Sequence, residues 1–191
     1  MNITEHKILA GIKYFVKNTK NVGRTKLFKL LYHWDFIHFK KYGLSITGYD
    51  YYTFPFGPVP LKLYQQIESD NLPDLLKNDI KIVEDFNEEE DNQYKRFKVI
   101  LKNKKIDLDW LSPNEIKILE EVSFVFKDAT AKQMTEITHL PNTPYDKTKN
   151  EKGMRHIIDY FLAIDEESEL DLEIIKERFN TQKDLLSDAD I

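Results

Sequence analysis

TKLFKLLYHWDFIHFKKY, residues 25–42, is the stretch that decides the fold, and Gly43 follows it. At about 100° per residue on a helix, apolar side chains cover most of its circumference. They are Leu27, Phe28, Leu30, Leu31, Tyr32, Trp34, Phe36, Ile37 and Phe39. The one polar strip consists of Lys26, Lys29, His33 and Lys40. Because such a helix needs neighbours on most sides, we expect it to be buried at the centre of the fold and to stop at Gly43.

Further helices are predicted around this segment. Residues 4–18 place apolar side chains on one face, and Pro60 suits the first turn of a helix that runs to Ile67. Ser112 and Thr130 have the residue types of helix N-caps, ahead of helices at 113–126 and 131–138. From residue 168 onward an acidic amphipathic helix is predicted, with its apolar positions at Leu172, Ile175, Phe179 and Leu186.

Two antiparallel strands are predicted at residues 79–83 and 94–101, joined by an acidic loop at 84–91. Residues 51–54 look extended, whereas the three prolines in 54–60 exclude a helix or a central strand. Residues 139–145 read as a proline-rich loop, and 157–164 fit either a strand or a helix. The expected fold is α+β: one predominantly helical domain, residues 1–167, with a buried central helix and a small antiparallel β-hairpin insert. Residues 168–191 form its acidic C-terminal helix or tail.

The composition sets limits on the class of protein. Of the 191 residues, 41% are hydrophobic and 32% are charged, which suits a globular domain with a core. Cysteine is absent, so disulfides and thiolate metal sites are excluded. Apolar runs are far shorter than the roughly 20 residues of a membrane span. We therefore expect a soluble, cytoplasmic protein with no membrane partner.

Positive charge is concentrated near the N-terminus. Residues 1–41 hold nine Lys/Arg against Glu5 and Asp35, a balance of +7, although the whole chain has a net charge of −5. Such asymmetry favours either a surface for an acidic partner or nucleic acid, or simply a solvated lysine-rich helix face. A nucleic-acid-binding regulator that uses these N-terminal helices is therefore an alternative hypothesis.

Asp35 and His38 are the most conspicuous polar pair, because Asp35 falls within the apolar arc of the central helix and His38 lies three residues on. As acid and base, or as a metal site with His33, His139 or His156, they would make the protein a hydrolase or metal enzyme. The structural interpretation makes Asp35 an acceptor for backbone N–H groups, either of the turn 45–48 or of the loop at Gly57 and Pro58. No common nucleotide-binding or hydrolase motif supports the enzymatic interpretation.

The segment 51–64 is rich in rings and prolines. Rigid aromatic surfaces of this kind suit protein recognition, because little conformational entropy is lost on binding. The alternative is that these side chains close over the core. As candidate partner-binding residues we select Tyr51, Tyr52, Phe54, Phe56, Pro58 and Tyr64.

Three blocks together resemble a known family. They are KLFKLLYHWDFIHF at 26–39, GLSITG at 43–48 and FGPVPLKLY at 56–64. In this order and spacing they are similar to the Panacea domain, the SocA-like, antitoxin-associated family of bacteria and phages. LSPNE at 111–115, Thr130-Ala131 and Thr138-His139 extend the resemblance to about residues 1–145. Pro144-Tyr145 stands where the family often has Pro-Trp.

The resemblance implies a type II antitoxin, which neutralises a co-encoded protein toxin by binding it and sometimes delivers the toxin to a protease. It implies no enzymatic activity, cofactor or metal, and nucleic acid is the weaker of the partners considered. Positions that match the family motif are assigned structural roles, namely Asp35, His38, Gly48, Gly57 and Pro58.

Overall fold

The structure, a computed structural model, describes residues 2–85 and 96–189. The first half contains α1 (Ile3–Asn18), α2 (Arg24–Tyr42), β1 (Tyr51–Phe54), β2 (Gly57–Pro60), α3 (Leu61–Glu68), α4 (Asp74–Asp79) and β3 (Ile80–Asp85). The second half contains β4 (Arg96–Leu101), α5 (Pro113–Val125), α6 (Ala131–Thr138), α7 (Pro144–Lys152), a 3-10 helix (Tyr160–Ala163) and α8 (Leu172–Ala189). The predicted α+β class, predominantly helical with antiparallel hairpins, is confirmed.

Helix α2 is the buried centre of the fold, as its apolar circumference predicts. Its neighbours include α1, α5, α6, β2 and the 3-10 helix. Trp34 has no exposed surface; its ring meets Phe15 edge-on, and its indole N–H donates to the Glu115 carbonyl at 3.0 Å. The helix ends at Gly43, whose φ of 72° lets its N–H return to the Phe39 carbonyl.

Each pair of strands forms its own antiparallel hairpin. Strands β3 and β4 pair with Ile82 opposite Val99, which is the predicted insert. Strands β1 and β2 pair with Tyr51 opposite Pro60, a hairpin that the sequence did not predict. The prolines are tolerated because β2 is an edge strand, where a missing N–H breaks no further ladder bond. The other edge of β1 pairs with residues 155–158, through bonds that include Ile158 N–H to the Tyr51 carbonyl.

The prediction of a loop at residues 139–145 is wrong for the last two residues, because Pro144 and Tyr145 are the first residues of α7. Thr143 caps this helix by accepting from the Asp146 N–H, and proline at the first position needs no donor. Residues 157–164, left undecided, are extended at Ile157 and turn into the 3-10 helix at Tyr160. Most of the predicted acidic loop, residues 86–91, lies outside the described residues.

The amphipathic C-terminal helix is present as α8. Its apolar face packs into the core through Ile175 and Phe179. The division into 1–167 and 168–191 stays a prediction. Within the described ranges, no helix combines the length and the apolar character that a membrane crossing requires.

Candidate functional site

Half of the polar strip of α2 is buried: Lys26 and Lys29 lie inside the fold, whereas His33 and Lys40 are partly exposed. Lys26 donates to the carbonyls of Lys20 and Ala129 at 2.8 and 2.7 Å. Lys29 donates to the Phe56 carbonyl, and only 1% of its surface is exposed. Because burial penalises its ammonium form, the pKa of Lys29 falls to about 7. Both lysines are thus used to fasten distant backbone to the central helix.

Asp35 is the centre of a buried hydrogen-bond cluster. Its Oδ1 accepts from the N–H groups of Ile46 and Thr47 at 2.7 and 2.9 Å. Its Oδ2 accepts from the hydroxyls of Thr47 and Tyr51 at 2.5 and 2.7 Å. Burial raises the pKa of the Asp35 carboxyl, and the hydrogen bonds from Thr47, Tyr51 and Ile46 oppose that rise. Of the two loops that the sequence offered as donors, the turn 45–48 is the one in contact, and we call Asp35, Ile46, Thr47 and Tyr51 the Asp35 cluster.

The histidines proposed for a metal site contact different parts of the fold. His38 Nδ1 lies 2.7 Å from the Leu44 carbonyl, and His33 stacks on Phe126 with ring centroids 4.7 Å apart. Burial, with a smaller contribution from the charge of Lys29, lowers the pKa of His33 to about 4. Across the described part of the chain, no three His, Asp or Glu side chains come together in a way that could hold a metal ion. The structure therefore lends no support to the metal-enzyme hypothesis.

The six candidate partner-binding residues divide by exposure. Tyr51 and Pro58 are buried, Tyr51 completely, so neither belongs to an external surface. Tyr52, Phe54 and Tyr64 are partly exposed. Phe56, at the tip of hairpin β1–β2, is 50% exposed and is the most exposed ring of the six.

The tip of this hairpin is tied to three helices. Besides Lys29 of α2, Thr135 of α6 donates its hydroxyl to the Phe56 carbonyl at 3.3 Å. Tyr145 of α7 donates to the Phe54 carbonyl at 2.8 Å, and His139 Nε2 lies 3.0 Å from the same hydroxyl. The backbone around Phe56 is therefore fixed before any partner arrives.

A glycine permits this close packing. Gly57 has a φ of 102°, and a Cβ there would lie 2.8 Å from Thr138 Oγ1 and 3.0 Å from Lys29 Nζ. The support that Lys29, Thr135 and Tyr145 give to the hairpin tip was not predicted from the sequence. The one feature that could have indicated it is the position of Lys29 on a helix that had to be buried.

The positive charge of residues 1–41 is largely neutralised in three dimensions. Six of its basic side chains form ion pairs with carboxylates from later in the chain: Lys7 with Glu115, Lys13 with Asp79, Lys20 with Asp128, Arg24 with Glu68, Lys40 with Asp165 and Glu167, and Lys41 with Glu121. Lys26 and Lys29 are buried. Since phosphate binding requires exposed, uncompensated cations, the charge asymmetry no longer favours a nucleic-acid surface.

Comparison with known protein families gives a match over residues 27–145, to the family described as antitoxin SocA-like, Panacea domain. The matched region runs from the start of the central helix through the hairpin to Tyr145. Since it covers more than half of the chain, the protein belongs to this family. Neither the curated proteins nor the solved structures yield a match. Family membership gives the protein an antitoxin-related function and fits a role in binding rather than catalysis.

Proposed function

We propose that this protein is an antitoxin that neutralises a protein toxin by binding it directly, and that hairpin β1–β2 makes the central contact. The observation that carries the proposal is the pre-organised tip of the hairpin within a domain of an antitoxin family. Phe56 is presented to solvent on backbone whose carbonyls are already bonded to α2, α6 and α7. A rigid aromatic anchor loses little entropy on binding, which is the property of residues that dominate interface energies.

The arrangement also indicates the chemistry of the partner surface. The carbonyls of Phe54 and Phe56 are used internally, so the tip offers mainly apolar rings outward. Tyr52 and Phe54 of β1 and Tyr64 of α3 are also partly exposed, and the Phe54 and Tyr64 rings pack with centroids 5.8 Å apart. We therefore expect the toxin to receive Phe56 in an apolar pocket with a more polar rim. Delivery of the toxin to a protease stays a prediction from the resemblance.

Co-expression tests the function. The product of the neighbouring reading frame should arrest growth when it is expressed alone, and growth should return when this protein is expressed with it. A harmless neighbour, or one that remains toxic in the presence of this protein, would contradict the antitoxin proposal.

Substitution of Phe56 tests the surface. Phe56→Ala should weaken toxin binding by about tenfold or more, as expected for an interface anchor, with no change in thermal stability. Phe124→Ala is the matched control, because Phe124 on α5 is 83% exposed and lies outside the hairpin. Equal effects of the two substitutions on affinity, measured by calorimetry, would place the contact elsewhere.

A further inference from the structure

Helix α8 lies against the loop that supplies the Asp35 cluster, residues 43–48. The side chain of Gln182 pairs with both backbone groups of Ser45: its Oε1 accepts from the Ser45 N–H at 3.0 Å, and its Nε2 donates to the Ser45 carbonyl at 2.7 Å. Ser45 directly precedes Ile46 and Thr47, whose N–H groups donate to Asp35. The loop is therefore held from two sides, by Asp35 and by α8.

Close backbone packing reinforces this contact. Gly48 has a φ of 67°, and a Cβ there would lie 2.8 Å from a methyl carbon of Leu186. At the other end of the loop, a Cβ on Gly43 would lie 3.1 Å from the Cα of Ile175. A Cβ at Gly48 would displace the end of the Leu186 side chain, and one at Gly43 would require the Ile175 backbone to move by a few tenths of an ångström.

A second connection runs through aromatic rings. Phe179 of α8 packs against Tyr160 with ring centroids 5.6 Å apart. The Tyr160 hydroxyl donates to the Tyr49 carbonyl at 2.9 Å, two residues before the start of β1. Tyr51, the first residue of β1, then donates its hydroxyl to Asp35.

From these contacts we propose that α8 is an intramolecular clasp that holds loop 43–48 closed on Asp35 and thereby keeps hairpin β1–β2 in its binding shape. Helix α8 lies beyond the family-matched residues 27–145, whereas the loop and the hairpin lie within them. The clasp thus makes the presentation of Phe56 depend on a segment outside the matched domain. Release of α8 would therefore loosen the hairpin without any contact between α8 and the toxin being required.

Amide hydrogen exchange tests the clasp in the full chain. Gln182→Leu removes all three hydrogen bonds to Ser45, including the one at 3.3 Å from the Ser45 hydroxyl to Gln182 Oε1, and keeps most of the side-chain volume. Exchange at the Ile46 and Thr47 amides should then become about tenfold faster or more, with a smaller increase at Thr53 in β1. Exchange at Ile118 and Leu119 of α5 should not change.

The matched control is Asn180→Ala on the exposed face of α8, which should leave all of these rates as in the wild type. Gln182→Glu retains the acceptor but loses the donor to the Ser45 carbonyl, so it should also loosen the loop. Unchanged rates at Ile46 and Thr47 in Gln182→Leu would overturn the proposal. Uniform acceleration that includes α5 would overturn it too, because it would show global destabilisation rather than a local clasp.

The effect on binding rests on the proposed function. Gln182→Leu should weaken toxin binding by up to the factor by which it accelerates Thr53 exchange, because affinity falls with the fraction of molecules that keep the binding shape, whereas Asn180→Ala should not weaken it. Failure of the wild-type protein to bind the toxin would contradict the proposed function. The contact of α8 with loop 43–48 would then still be tested by the hydrogen-exchange rates alone. Full affinity in a variant with a loosened loop would show that the hairpin does not depend on α8, and would overturn that part of the proposal.

Discussion

At the level of single residues, the polar groups of α2 serve to hold backbone rather than to react. Asp35 gathers four donors from residues 46–51, and Lys26 and Lys29 each donate to a carbonyl far away in sequence, that of Ala129 and that of Phe56. A buried donor left without an acceptor costs about 1–3 kcal/mol. These side chains therefore determine which loops close over the central helix.

Replacement of Asp35 should be far more damaging than loss of any one of its donors. Asp35→Asn places an amide NH₂ against the surrounding donors and should reduce the free energy of unfolding by about 3 kcal/mol or more. Tyr51→Phe removes a single hydrogen bond and should cost about 1 kcal/mol. Urea denaturation of the two variants measures both values. Similar losses for the two would show that the carboxylate is not the centre of the cluster.

Lys29 should make stability depend on pH. Its pKa is about 7 in the folded protein and near 10.5 in the unfolded chain, so the unfolded chain binds more protons between these values. The free energy of unfolding should therefore rise with pH from 7 to 9, by up to about 1.4 kcal/mol per pH unit. Below about pH 6 this contribution is constant, because Lys29 is then protonated in both states.

Lys29→Met should remove this rise, and Lys17→Met, at an exposed position on α1, should retain it. Denaturation curves at pH 7, 8 and 9 make the comparison. A rise of the same slope in Lys29→Met would assign the pH dependence to other groups.

Only some of the residue roles in the Asp35 cluster and the hairpin support could be predicted from the sequence. It identified Asp35 as a polar side chain within an apolar arc, which required hydrogen-bond partners, but it left two loops as the source of donors. Turn 45–48 supplies the donors because the chain after Gly43 folds back alongside α2 and brings this turn to Asp35, a path that the sequence does not reveal. The role of Lys29 was not foreseen, because its acceptor is a backbone carbonyl 27 residues away that no side-chain pattern reveals.

At the level of elements, hydrophobic periodicity predicted the long helices and the β3–β4 hairpin. The β1–β2 hairpin was not predicted because its prolines argue against strand pairing. They are tolerated because residues 155–158 pair with the other side of β1, so that β2 is an edge strand. Helix α7 was missed because its start resembles a loop, with Thr143 and Pro144 serving as cap and first residue. Tertiary neighbours decided the first case, whereas local capping by Thr143 and Pro144 decided the second.

The crossing of α1 and α2 depends on Gly11, because a Cβ there would overlap the six-membered ring of Trp34. Gly11→Ala should reduce the free energy of unfolding by about 1–3 kcal/mol, although alanine favours a helix by about 1 kcal/mol. Thermal unfolding measures the loss. In a Trp34→Leu background the additional loss should be smaller, since the ring that clashes is gone; equal losses in the two backgrounds would contradict this packing.

At the level of the whole molecule, the charge distribution and the fold support the proposed partner binding rather than nucleic-acid binding. Basic side chains of the first 41 residues form ion pairs with carboxylates from the acidic remainder, so the charge asymmetry along the chain is largely compensated among the described residues. The proposed binding surface is the hairpin tip with the half-exposed Phe56. Its supporting residues lie within the family-matched residues 27–145, whereas the proposed clasp, α8, lies outside them. The sequence predicted the family and the aromatic segment, but only the fold separates Tyr51 and Pro58 inside from Phe56 outside.

The most direct test of the central claim is a titration of purified toxin activity with this purified protein. If neutralisation is direct binding, activity should fall linearly and end at a fixed stoichiometric ratio, and Phe56→Ala should shift the curve to higher protein concentration while Phe124→Ala follows the wild type. Full toxin activity in the presence of excess wild-type protein would contradict neutralisation by direct contact.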